Sequence, residues 1–86
     1  MPNLREHHMI IENGITIFIE PNSSASQRTK NRIKEHGEHG FVICGFDLAS
    51  WHFGGVAALL LKSALEEDNW SGWVPINEIT SMRPTE

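Results

Sequence analysis

Residues 56–79, VAALLLKSALEEDNWSGWVPINEI, decide how this chain is read. They hold a dense apolar run, an acidic turn, and two tryptophans, Trp70 and Trp73, around Ser71-Gly72. Val74-Pro75 and a closing apolar pair, Ile76 and Ile79, come after them. Two structures compete here. Ala57, Ala58, Leu59, Leu60, Leu61, Lys62, Ala64, Leu65, Glu66 and Glu67 are all good helix formers, so propensity alone gives a helix. Against it, Glu66, Glu67 and Asp68 would crowd the negative end of the helix dipole, and the nearest glycine stop, Gly72, comes well after them. The alternative is strand, turn, strand and a short helical turn.

A resemblance favours the strands. Ala58-Leu59-Leu60-Leu61-Lys62-Ser63, a variable acidic turn, and then Gly72-Trp73-Val74-Pro75-Ile76-Asn77-Glu78-Ile79 resemble the end of an SH3 domain. In that family a strand of pattern aromatic-x-apolar-Ala-Arg-Ser is followed by a turn and Gly-Tyr-Val/Ile-Pro-Ser-Asn-Tyr-Val. The similarity covers about a quarter of the chain. The family's amino-terminal Ala-Leu-Tyr-Asp-Tyr element is missing, the chain has no tyrosine, and Ala57 and Ala58 stand where the family carries paired tryptophans. The resemblance therefore implies a small SH3-like barrel without implying proline-rich peptide binding.

Eighty-six residues make one domain, near the size at which a single core leaves little spare stability, so self-association would help it. Apolar content of 40% with 21% charged residues is that of a globular chain, and no apolar run approaches the roughly 18 residues that would span a bilayer. Residues 1–8 are polar, lack an apolar signal core, and are expected to be a flexible tail, as are residues 81–86. The default location is cytoplasmic. Cys44, the sole cysteine, sits in the apolar run Phe41-Val42-Ile43-Cys44-Gly45-Phe46 and reads as a buried structural thiol.

The chain opens on a hairpin signal. Met9 to Glu12 and Ile15 to Ile19 flank Asn13-Gly14, the pair suited to a two-residue type I′ turn. Ile15, Ile17 and Ile19 share one strand face and should meet the core, which leaves Phe18 outside. Pro21 to Ser26 breaks the strand, with Ser24 or Ser26 able to cap a helix. Residues 27–36 form about two helical turns stopped by Gly37, or an extended excursion like the long first loop of an SH3-like barrel.

Charge singles that segment out. Arg28, Lys30, Arg32 and Lys34 are four of the seven cations, and with Glu35 they give residues 26–36 a net +3 against −7 elsewhere. Such a patch can hold phosphates or an acidic partner, or be a solvated helix face. For nucleic acid the expected companion is a set of exposed aromatics or a matching second basic strip, and the sequence reveals neither. His36, His39 and His52 have the residue type of metal ligands, but Gly37 and Gly40 bracket a loop without the defined turn of a tight zinc motif, and no metal or cofactor is assigned.

Phe41 to Phe46 is rich in strand formers, with Gly45 as a bulge. Asp47 to Phe53 leads into Gly54-Gly55 as a short helical turn or a wide hairpin loop. Trp51, Phe53, Trp70 and Trp73 supply either a core or an aromatic groove, with Trp70, between Asn69 and Ser71, the best placed for exposure. Ser50, Ser63 or Ser71 can be written beside His52 and Asp47, but a triad is recognised by geometry and the sequence supplies none. The expected protein is a mainly β (α+β) domain: a small SH3-like barrel with an added amino-terminal hairpin and one short basic helix or loop. Its expected role is that of an accessory domain, of the kind mobile elements often encode, acting through contacts with itself or a larger protein. Nucleic-acid binding through Arg28, Lys30, Arg32 and Lys34 is the alternative, and ligand binding or catalysis at the aromatics or on an oligomer axis is the third.

Overall fold

The computed structural model describes residues 13–84. Residues 56–79 fold as strand, turn, strand and 3-10 turn, and the helix that propensity favoured does not form. Strand β1 is Thr16–Pro21, helix α1 is Gln27–His36, β2 is Phe41–Ser50, β3 is Val56–Ser63, β4 is Ser71–Pro75 and β5 is Ile79–Pro84. A 3-10 turn, Trp51–Phe53, joins β2 to β3, and another, Ile76–Glu78, joins β4 to β5. The five strands make one antiparallel sheet in the order β4-β3-β2-β1-β5. Among the described residues the molecule is mainly β with one helix. The sheet that these residues form is open, with β4 and β5 as its edges, so its strands do not close into the expected barrel.

Burial explains why β3 is a strand. Leu59 and Leu61 are fully buried on one face, while Lys62 points to solvent, and only a period of two separates them in this way. β3 lies between β2 and β4, opposing Leu61 to Ile43 and Leu59 to Val74. With Ile17, Ile19 and Phe41 these side chains form the core, and Ile15, Ile33, Trp70, Ile76, Ile79 and Met82 pack around it. Each fully buried isoleucine or leucine contributes about 1.5–3 kcal/mol relative to exposure, which outweighs the few tenths per residue by which propensity favours a helix.

Two segments differ from their expected roles. Asn13-Gly14 form a turn where one was expected, with Gly14 at a φ of 93°, and β1 pairs with β2 and β5; the Met9 to Glu12 half of the expected hairpin and the tail over residues 1–8 lie outside the described residues. Ser81 to Pro84, expected as a tail, are the second half of β5, where Arg83 opposes Phe18 and places its guanidinium 5.0 Å from the ring centroid. Cys44 is exposed rather than buried: the pairing steps from Ile43 with Leu61 to Gly45 with Leu60, and Cys44 is the unpaired residue of the resulting bulge. No helix among the described residues is long and apolar enough to cross a membrane.

Candidate functional site

Helix α1 begins where Ser26 Oγ accepts the Thr29 N–H at 3.2 Å. A partner from the far end of the chain completes the cap. Glu78 Oε1 lies 2.6 Å from Thr29 Oγ1 and 3.2 Å from both the Ser26 nitrogen and Ser26 Oγ. Burial pushes the Glu78 carboxyl up, but these donors outweigh it and hold the group below the usual glutamate range. At its other end α1 stops against the sheet. Gly37 donates its N–H to Ile33 O at 3.0 Å, and an added Cβ there would sit 2.7 Å from that oxygen and 2.7 Å from the Phe41 ring. Its φ of −103° is one that any residue adopts, so closeness requires the glycine.

The acidic turn after β3 grips the last turn of α1. His36 Nδ1 lies 2.7 Å from Asp68 Oδ2, and because a carboxylate only accepts, the ring proton is on Nδ1. This bond first, and the Trp70 N–H reaching Asp68 Oδ1 at 3.2 Å, hold the Asp68 carboxyl below the usual range. The His36 ring stacks on Trp70, with centroids 4.5 Å apart and planes 4° from parallel, and Phe41 meets the indole at a tilt. Trp70 is thus half-buried against the core and not the exposed tryptophan, because His36 and Phe41 cover the ring that its polar neighbours left unaccounted for.

Above Trp70 lies Arg32. Its guanidinium carbon is 5.4 Å from the indole centroid and its Nη1 donates to Trp73 O at 3.1 Å. Partial burial, and then the nearby charge of Arg28, lower the pKa of Arg32, which nevertheless stays charged. Gly72 lets this arrangement close, for a Cβ there would lie 2.7 Å from Trp70 Cζ2 and 3.1 Å from Arg32 Nη1.

Beside this cluster a cleft of about 350 Å³ is lined by Arg28, Arg32, His52, Phe53, Gly72 and Trp73. Three separate elements build it: α1, the Trp51–Phe53 turn and β4. Trp73 is 38% exposed, and Trp51, 79% exposed, stacks on His52 with centroids 4.1 Å apart. No protein-family model matches this chain, and neither does any curated protein or solved structure. The chemistry open to the cleft is set by its own residues.

The basic and aromatic sets, separate in the sequence, meet here in part. Arg28 and Arg32, four residues apart, share the helix face that lines the cleft, whereas Lys30 and Lys34 form the other such pair and do not line it. Of the four aromatics, Phe53 and Trp73 line the cleft, Trp70 belongs to the wall behind Arg32, and Trp51 stands outside on His52. The three histidines are not gathered: among the described residues no three His, Cys, Asp or Glu side chains could hold a metal ion, and His36 is committed to Asp68. Sequence reasoning missed Gly72 as the floor of the cleft, Asp68 as the partner of His36, and Glu78 as the partner of the cap. The four-residue spacing of Arg28 and Arg32 was the one readable signal; the other pairings span 32 or more residues and have no local mark.

Proposed function

We propose that the chain is an accessory binding domain whose working surface is the cleft between α1, the Trp51–Phe53 turn and β4, and that its ligand is anionic. The observation that carries this reading is that Arg28 and Arg32 line one cavity with Phe53, His52 and Trp73. Two guanidiniums beside each other repel, and an anion seated between them offsets that cost in a partly desolvated place where charge counts for more than in water. Flat rings in the same lining provide contact area at little cost in side-chain freedom. The test is retention on immobilised heparin at low salt with elution on a salt gradient. The wild type should be retained and Arg28→Glu should pass through, whereas a wild type that is not retained would sink the reading.

Self-association has its own supporting observation. Phe46 is 42% and Leu48 76% exposed, two positions apart on β2, the central strand of the sheet. Under this second reading the partner is a copy of the chain, with a cytoplasmic setting as its expected context. Kinship with SH3-like barrels belongs here too. It is supported by the order of β3, an acidic turn, β4, a 3-10 turn and a final strand, and by α1 standing in the place of a long first loop.

A further inference from the structure

Resting on the anion-binding reading above, we propose that the ligand is single-stranded nucleic acid, one nucleotide of which seats in the cleft with its base on the Trp73 side and its phosphate at Arg28.

The residues divide the work in a way that favours this class. Arg32 already gives one donor to the Trp73 carbonyl and lies over Trp70, so it acts as a positioning residue that ties β4 to α1. Arg28 sits one helical turn nearer the amino terminus, is exposed, and among the described residues has no carboxylate partner. It is the cation placed to meet a phosphate. Most of the remaining lining is rings, Trp73, Phe53 and His52, and Trp51 stacks on His52. Every nucleobase has a flat face that such rings can take, and stacking of this kind tolerates sequence.

Size and charge narrow the choice further. A cleft of about 350 Å³ is at the small end of ligand pockets, enough for one nucleotide rather than a folded surface. A duplex keeps its base faces stacked inside and could offer these rings only its backbone. An acidic peptide brings charge but few rings. The chain outside residues 26–36 carries −7, which repels phosphates elsewhere and confines contact to this face. Few phosphates are then neutralised, and stacking must supply much of the affinity. With one phosphate contact, at Arg28, the logarithm of affinity should fall with that of salt at a slope of about −0.7.

The experiment is fluorescence anisotropy with labelled single-stranded dT and dA 12-mers, the annealed dT·dA duplex, and polyglutamate as competitor, over a range of salt. The single strands should bind more tightly than the duplex, quench tryptophan emission, and resist polyglutamate. Trp73→Ala should weaken them about 5- to 150-fold, Trp73→Phe much less, and Arg28→Ala should flatten the salt slope by about 0.7. If Trp73→Ala does not fold by circular dichroism, the Arg28→Ala slope and the strand comparison decide. Equal binding of duplex, single strand and polyglutamate, with Arg28→Ala weakening all three, would overturn the nucleic-acid proposal and leave the anion-binding cleft, whereas single-strand binding unmoved by both Trp73→Ala and Arg28→Ala would overturn both readings. Binding to none of these polyanions would overturn both.

Discussion

A methyl group at Gly72 would lie 2.7 Å from the Trp70 ring and 3.1 Å from Arg32 Nη1, and that single fact ties stability to the site. The arginine tip can swing away, but the indole is held by His36 and Phe41 and cannot. Gly72→Ala should therefore cost about 1–3 kcal/mol in urea unfolding and change tryptophan emission, because the strain falls on Trp70. An unchanged midpoint and spectrum would show that the wall is looser than its geometry implies. Glu78 gives a prediction with a sign. Its folded pKa lies below its unfolded value, so its contribution is complete above the ordinary glutamate pKa and is lost as pH falls through the folded one. Glu78→Gln should lower stability at neutral pH by about 1–2 kcal/mol, and the gap from wild type should close in acid. A gap that stays constant with pH would mean that the charge is not what holds Ser26 and Thr29.

At the scale of elements, α1 is a helix with a weak apolar face, held at both ends by residues from elsewhere in the chain. Only Thr29 is buried within it, and Ile33, four residues on along the same face, packs against the core. Ser26 with Glu78 fixes the start; His36 with Asp68 fixes the end. Ser26→Ala should cost about 0.5–2 kcal/mol, and with Glu78→Ala it should show coupling of at least about 0.5 kcal/mol in a double-mutant cycle. Strictly additive losses would separate the cap from the Ile76–Glu78 turn. Because Arg28 and Arg32 ride on this helix, the same cap variants should also weaken any ligand that the cleft holds. The bulge at Cys44 belongs to this scale as well: it resets the face of β2, so that a cysteine inside an apolar run reaches solvent.

For the whole molecule, the question is whether its apolar surface is spent on itself. Phe46 and Leu48 lie at the far end of β2, away from the two open edges β4 and β5. Light scattering coupled to size exclusion should give a dimer or larger if these side chains form an interface, and Leu48→Glu should then return it to monomer. A wild-type monomer at both low and moderate salt would end the self-association reading and leave the cleft as the working surface.

Residues 56–79 determined their own structure to a large extent. Propensity pointed to a helix over the first half, but the acidic turn with Gly72-Trp73-Val74-Pro75, read through the SH3 resemblance, gave strand, turn, strand and 3-10 turn in the right order. A serine cap at Ser24 or Ser26, Gly37 as a stop and Ile17 with Ile19 as core were legible because each is decided by residues within a few positions, and the structure selects Ser26. What only the tertiary structure decided depends on distant neighbours. Hydrogen bonding to β1 turned Ser81 to Pro84 from a tail into a strand, a bulge against β3 exposed Cys44, and His36 covered Trp70 from 34 residues away. The cleft is the clearest case. Its cations come from α1 and its rings from the Trp51–Phe53 turn and β4, and nothing in any one of these segments marks the others as its partners. Once α1 is a helix its period puts Arg28 and Arg32 on one face, and only packing of that face beside β4 decides what they face.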